Sequence, residues 1–170
     1  MYQFISTSKE SHNLKIITNA GTLWDTNQEE AIERGNLIHF ILSKINTKHD
    51  IEFVLKDCIN AGQIKTNVIT ELTTIINAIV DHPDLKDYYT NLYDIYNEQD
   101  IITSEGNIIR PDRLVIKNND AIIVDYKTGV EDLKHKSQLD NYASVIKSMG
   151  YNIVKKILIY INTSIKIVEV

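Results

Sequence analysis

The hydrophobic pattern of this chain changes from a helical period to a strand period near Glu98. Before that point apolar residues recur three or four positions apart, which is the spacing of a helix that buries one face. Helices are predicted at about residues 27–45, 51–61, 65–80 and 85–93. Residues 1–26 form a lead-in with weaker signals, a short strand at Leu14–Thr18 and a turn at Ala20-Gly21. The first half of the chain is therefore predicted to be a helical region, residues 27–93.

β-Branched runs separated by turn compositions follow Glu98 and are typical of strands. Strands are predicted at residues 100–104, 108–116, 121–128, 154–160 and 164–170, the first three forming a meander. An amphipathic helix is predicted between the third and fourth strands, at residues 131–149, ended by Gly150. A helix between two strands allows the later strand to lie parallel to the earlier one. The order predicts an α/β fold, with a mixed sheet over residues 98–170 flanked by helices.

Size and composition indicate one globular domain. The chain has 170 residues, 43% of them hydrophobic and 24% charged, and no Pro/Gly/Ser-rich linker divides it.

The net charge of −5, taken alone, argues against a nucleic-acid partner. The distribution reverses that impression, because the net charge is −2 over residues 1–80, −6 over 81–105 and +3 over 106–170. The acidic middle is typical of a solvated face, and the basic last third suits a phosphate partner.

The cysteine content limits the metal chemistry. Cys58 is the one cysteine, so an intramolecular disulfide, a four-thiolate zinc site and an iron-sulfur cluster are all excluded. We expect any metal to be a hard cation held by oxygen, with imidazole as an added ligand.

No apolar stretch is long enough to span a membrane and the N-terminus lacks a signal-peptide pattern, so a cytoplasmic protein without a membrane partner is expected.

Two carboxylates and an ammonium are predicted to meet on neighbouring strands. Because side chains alternate along a strand, Asp125 and Lys127 project to the same face. Pro111, which cannot donate to a sheet ladder, precedes Asp112 and indicates a bulge, a kink or a sheet edge. If these strands pair through the turn near Asn118, Asp112 and Asp125 come close together. Two carboxylates that close repel each other unless a cation or a proton lies between them, and a divalent metal is the simplest resolution.

Two helices carry further polar residues. His39 lies on the apolar face of the first helix, and Gly35 one turn earlier leaves room above that face. Gln138 and Tyr142 are four positions apart and share a face of the later helix. From the residues alone, a histidine placed like His39 is more often a core residue than a metal ligand, and Gln138 and Tyr142 are equally explained as packing at the rim of the core.

The spacing of Pro111-Asp112 and Asp125-Tyr126-Lys127 resembles the PD-(D/E)xK nuclease superfamily. Further blocks narrow the resemblance to the nuclease domain of RecB- and AddA-type helicase-nucleases. They are the run IIVDYKTG through Gly129, Arg34-Gly35 followed by His39, Gln138-Leu139 with Tyr142, and the acidic Glu98. These blocks occur in the family's order between residues 34 and 142.

The resemblance implies a restriction-endonuclease-like core and Mg²⁺-dependent hydrolysis of DNA phosphodiesters, with Mn²⁺ as a substitute. The implied metal ligands are His39, Asp112, Asp125, the backbone carbonyl of Tyr126 and, as an outer or supporting ligand, Glu98. Lys127 would position the nucleophile or stabilise charge at phosphorus. Gln138 and Tyr142 would orient Lys127 or contact phosphate. Whether Lys127 also acts as a base stays open, because burial and nearby carboxylates shift a lysine pKa in opposite directions.

The resemblance also implies partners. Candidate phosphate contacts are Arg34, Arg110, Arg113, Lys134 and Lys136, although basic groups at sheet edges and helix starts are usually only solvated. The chain contains no G-x-x-x-x-G-K-[ST] motif, so a helicase motor is expected outside it. We therefore expect an exonuclease domain or subunit that processes double-strand breaks for recombinational repair.

Two alternatives remain at this point. One is a free-standing RecB-like nuclease outside the iron-sulfur branch of that group. The other is a nuclease-fold module that binds DNA ends or a partner protein without cutting. The presence of Asp112, Asp125 and Lys127 together argues against the non-cutting module, because a retired site is expected to have lost at least one of them.

Overall fold

The structure, a computed structural model, describes residues 26–162 and 164–170. The predicted strand at Leu14–Thr18 and the turn at Ala20-Gly21 lie outside the described residues. The helices are α1 Thr26–Ser43, α2 Ile51–Asn60, α3 Ile69–Val80 and α4 Leu133–Ser148. The strands are β1 Asp94–Asn97, β2 Ile101–Ile102, β3 Ile108–Ile109, β4 Arg113–Lys117, β5 Asp120–Lys127, β6 Asn152–Ile161 and β7 Ile165–Glu169.

Five of the strands form a mixed sheet in the order β1-β4-β5-β6-β7. β5 and β6 pair in parallel through the crossover helix α4, and the other neighbours pair antiparallel. β2 and β3 form a separate two-stranded ladder. The predicted α/β fold, with a mixed sheet flanked by helices, is confirmed.

The two faces of the sheet bury different helices. α1, α2 and α3 pack against the face that carries Val124 and Tyr126, and α4 packs against the face that carries Ile123. Because side chains alternate along β5, Asp125 and Lys127 lie on the α4 face. In the part of the chain that the structure describes, no helix has the length and hydropathy needed to cross a bilayer.

The predicted helix at residues 85–93 is wrong. Leu85 and Tyr89 are both buried at helical spacing, which produced the pattern, but only a 3-10 turn forms, at Lys86–Tyr88. The carbonyls that would continue the helix accept hydrogen bonds from elsewhere. Tyr88 O accepts from Arg113 at 2.7 Å, and Tyr89 O accepts from the backbone N–H of Lys48 at 3.2 Å.

The predicted meander is also corrected. The strand beside β4 is β1, not residues 100–104, and the predicted strand at 108–116 divides into β3 and β4. Pro111 lies in the gap between them, where a residue without an N–H cannot continue the ladder. Glu98 consequently follows the first strand, whereas the pattern placed it at the strand's start.

Candidate metal centre and active site

The β4–β5 hairpin brings the two predicted carboxylates together. Arg113 pairs with Val124 across the antiparallel hairpin, so Asp112, the residue before Arg113, lies opposite Asp125, the residue after Val124. The turn between the strands contains Asn118, at φ 56°, a conformation that Asn tolerates better than most residues. Oδ2 of Asp112 accepts a hydrogen bond from the backbone N–H of Tyr126 at 2.7 Å. The carboxylate of Asp112 is therefore held at the carboxyl end of β5.

His39 and Glu98 complete a cluster around Asp112. One ligand atom from each of the three residues lies within 4.8 Å of the others. Nδ1 of His39 is 3.6 Å from Oδ2 of Asp112, and the backbone N–H of Glu98 donates to the carbonyl of Asp112 at 3.0 Å. Glu98 has a φ of 49°, a left-handed conformation that costs a non-glycine residue free energy and recurs at functional sites.

Asp125 is not in this set of three but shares its electrostatics. Burial, and then the charge of Asp112, raise its pKa to about 6, although Lys127 and His39 oppose the shift. Burial and Asp112 likewise raise the pKa of Glu98. Burial alone lowers the pKa of His39, but its contact with Asp112 and the charges of Asp125 and Glu98 outweigh burial and raise it. The carboxylates therefore repel one another and favour a cation among them.

The side chain of Asp125 tests whether a cation fits. It is 1% exposed, and its Oδ2 is buried without a hydrogen bond to any described residue. Nζ of Lys127 lies 2.5 Å from that oxygen as an ion pair that does not meet hydrogen-bond geometry. A buried carboxylate paired with one ammonium, beside an imidazole and two more carboxylates, is a donor set suited to Mg²⁺ or Mn²⁺. The carbonyl of Tyr126 stays a predicted ligand.

A hydrogen-bonded relay connects β5 to α4. Nζ of Lys127 donates to Oε1 of Gln138 at 2.9 Å, and Nε2 of Gln138 donates to the hydroxyl of Tyr142 at 2.7 Å. Gln138 and Tyr142 share a face of α4 because they lie one helical turn apart, and the hydrogen bond from Lys127 to Gln138 places that face against β5. This relay fixes the direction of the Lys127 ammonium while leaving it beside Asp125.

α1 approaches the end of β5 closely at Gly35. A Cβ on Gly35 would overlap Oγ1 of Thr128 and lie 3.2 Å from the Cβ of that residue. Glycine is therefore required for this approach, which places His39 one turn further along α1, above the end of the strand. The sequence indicated room at Gly35 but not that Thr128 fills it.

Four of the five predicted DNA contacts are at least partly exposed to solvent. Nε of the half-buried Arg34 donates to Glu71 at 2.8 Å, and Nε of the exposed Arg110 donates to Asp100 at 2.5 Å. Lys134 and Lys136 are exposed in the first turn of α4, and neither makes an ion pair within the described ranges.

Arg113 is a correction. It is 0% exposed, with its guanidinium hydrogen-bonded inside the protein, so it does not contact DNA. The reason is its position on β4: it is the residue after Asp112 and so faces the opposite side of the sheet, where α1 to α3 bury it.

A groove of about 460 Å³ opens beside the cluster. His39 and Glu98 belong to both the cluster and the groove, and Arg110 forms part of the wall. The remaining wall is Gly35, Asn36, Phe40, Ser43 and Thr128. The candidate metal centre is therefore accessible from solvent.

His135 and Tyr160 were missed by the sequence argument. Tyr160 pairs with Lys127 between β6 and β5, and its hydroxyl lies 3.1 Å from Nδ1 of His135 in α4. Burial and the charge of Lys127 lower the pKa of His135. No sequence signal joins His135 and Tyr160 to Lys127. The parallel register of β5 and β6 places Tyr160 beside Lys127, and the packing of α4 on β6 places His135 beside Tyr160.

Comparison with known proteins adds little. No family model and no curated protein matches the chain. Among solved structures, one titled "Crystal structure of SSO0001" is 18% identical over 77% of this chain, with a TM-score of 0.33. The match spans 65% of that chain's length. A similarity this weak supports no argument about fold or function.

Proposed function

We propose that this chain is a Mg²⁺-dependent deoxyribonuclease domain, the exonuclease part of a RecB/AddA-like helicase-nuclease. The observation that supports it is the meeting of His39, Glu98 and Asp112 with the Asp125–Lys127 pair at one end of the sheet. Asp125 and Lys127 lie on β5, Asp112 directly precedes β4, Glu98 directly follows β1, and His39 on α1 lies far from all of them in the chain. An accidental acidic surface patch would not include a carboxylate that is 1% exposed.

In this proposal His39, Asp112, Asp125 and Glu98 hold the metal, with the Tyr126 carbonyl as a further ligand. A divalent cation held by these residues would polarise the scissile phosphate and lower the pKa of a coordinated water. The backbone N–H of Tyr126 keeps one oxygen of Asp112 oriented. The oxygen-rich donor set suits Mg²⁺, with Mn²⁺ as a substitute.

Lys127 supplies the positive charge nearest the reacting group. Its ammonium, held by Gln138 and beside Asp125, is available to donate to a phosphate oxygen as negative charge develops there. Tyr142 holds the amide of Gln138, so that the acceptor oxygen of the amide faces Lys127. The two α4 residues thus position the ammonium before substrate binds.

DNA is the proposed substrate, entering along the groove that ends at His39 and Glu98. Lys134 and Lys136 would contact phosphates directly, whereas Arg34 and Arg110 would first have to leave Glu71 and Asp100. A helicase motor outside this chain would feed a strand to the site in the cytoplasm, during the processing of double-strand breaks for repair.

The test measures degradation of end-labelled single-stranded and double-stranded linear DNA beside closed circular DNA. Each substrate is incubated with Mg²⁺, Mn²⁺ or EDTA, using wild type, Lys127→Ala and a matched control, Lys56→Ala, whose side chain is exposed on α2. We expect metal-dependent cutting in wild type and Lys56→Ala, and its loss in Lys127→Ala. Sparing of circles would show that cutting requires an end.

Absence of cutting with a folded protein would leave two readings. A rise in melting temperature with Mn²⁺ would favour a nuclease domain that requires its motor. No rise would favour the non-cutting module that binds DNA ends or a partner. Cutting that survives Lys127→Ala would contradict the assigned role of Lys127.

A further inference from the structure

Arg113 is a fully buried cation behind the candidate metal centre. Its side chain is 0% exposed, and its guanidinium donates four hydrogen bonds. Nη1 donates to the carbonyl of Ile45 at 2.8 Å and to Oδ1 of Asn97 at 3.0 Å. Nη2 donates to the carbonyls of Asn46 and Tyr88, each at 2.7 Å.

The burial of the Arg113 charge costs hydration free energy that its hydrogen bonds restore only in part. All four acceptors are uncharged oxygens, and Nε is buried without a hydrogen-bond partner among the described residues. A buried charge without a counter-ion loses hydration that neutral acceptors restore only in part. Apolar side chains in such positions are often as stabilising or more so. The arrangement therefore calls for an explanation beyond stability.

The acceptors lie on the segments that carry the metal donors. Ile45 and Asn46 follow α1, which carries His39, and Asn97 is the residue directly before Glu98. Arg113 itself directly follows Asp112. One guanidinium thus joins the three chain segments whose donor atoms lie within 4.8 Å of one another.

A second set of contacts connects Arg113 with the same metal donors. Its guanidinium carbon lies 4.0 Å from the centre of the Tyr89 ring, and the Tyr89 and Tyr126 hydroxyls are hydrogen-bonded at 2.6 Å. The Tyr126 ring meets the His39 ring edge-on, with centroids 5.8 Å apart. The backbone N–H of Tyr126 holds Asp112.

We propose that Arg113 is a positioning residue that sets the spacing of the metal donors. This inference rests on the proposed function, because it concerns the same metal centre. Arg113 touches neither substrate nor metal. It acts by fixing the end of α1, the end of β1 and the start of β4 relative to one another. A planar fork with several donors is required, since the acceptors lie in different directions.

The test measures Mn²⁺ affinity in the absence of DNA, by titration calorimetry and by electron paramagnetic resonance of free Mn²⁺. Two variants are used, Arg113→Lys, which keeps the charge and loses the fork, and Asn97→Ala, which removes one acceptor from a half-buried side chain. Loss of a group that orients metal ligands weakens metal binding roughly 10- to 100-fold, and we expect about a tenfold loss in each variant. The control is Ile79→Ala, which opens a cavity beside α3, a helix that carries none of the proposed metal donors.

Each outcome decides a different question. Failure of wild type to bind Mn²⁺ would overturn the proposed function itself. Wild-type affinity in folded Arg113→Lys and Asn97→Ala would overturn the positioning role. So would an equal loss in Ile79→Ala, because affinity would then follow stability alone. If Arg113→Lys does not fold, Asn97→Ala decides the matter.

Discussion

Replacing Asp125 by Asn should stabilise the metal-free protein at pH 8 and change it little at pH 4. Asp125 is 1% exposed, and burial and the charge of Asp112 raise its pKa from 3.8 to about 6. The folded state therefore holds the Asp125 proton more tightly than the unfolded state does. The resulting contribution to stability is present below pH 4 and is lost as the pH rises through about 6.

The size of the effect follows from the shift. At about 1.4 kcal/mol for each pKa unit, ionised Asp125 costs the metal-free fold roughly 3 kcal/mol at pH 8. Asn carries no charge but leaves a buried amide with an incomplete set of hydrogen bonds, which offsets part of the gain. We expect a net stabilisation of about 1–2 kcal/mol, or an increase in melting temperature of about 2–8 °C for a domain of this size.

The assay is urea unfolding followed by circular dichroism in EDTA, at pH 8 and at pH 4. The matched control is Asp57→Asn, an exposed carboxylate on α2, which should change the free energy of unfolding by less than about 0.5 kcal/mol at both pH values. The reasoning would be refuted if Asp125→Asn destabilised the protein at pH 8, or if its effect were the same at both pH values.

Two further predictions follow from the same site. At a Mg²⁺ concentration one hundred times the dissociation constant for Mg²⁺, the bound ion should stabilise wild type by about 3 kcal/mol. In a calorimetric melting series, Asp112→Asn should remove most of that stabilisation. If the stabilisation by Mg²⁺ is unchanged in the variant, Asp112 is not a ligand. Gly35→Ala should destabilise the protein by about 1 kcal/mol in urea, because overpacking against Thr128 costs about 1–3 kcal/mol and exceeds the gain in helix propensity of about 1 kcal/mol. The same change in a Thr128→Ala background should cost less, and an equal cost would show that the two residues are not coupled.

Local periodicity was sufficient for much of the fold. The apolar stripes of α1, α2, α3 and α4 were predicted to within a few residues, because one face of each helix is buried and that face recurs every three or four positions. Asp125 and Lys127 share a face because strand alternation is a property of the backbone. The approach of Asp112 to Asp125 followed from a short hairpin, whose register depends on neighbouring residues.

Non-local packing decided the rest. Residues 85–93 have helical spacing, yet their carbonyls bond to Arg113 and Lys48 instead of continuing a helix. The partner of β4 is β1, which is only four residues long and has no clear alternation of apolar residues to predict it.

The sequence by itself determined which residues are candidates for the proposed chemistry and which of them share a strand face or a helix face. The tertiary structure decided which elements meet. Glu98 joins the cluster of His39 and Asp112 because β1 ends beside the start of β4. Arg113, predicted from its charge to contact DNA, is buried because α1 to α3 cover its face of the sheet. Periodicity records which side of an element is covered, but the identity of the covering element depends on contacts between residues far apart in the chain.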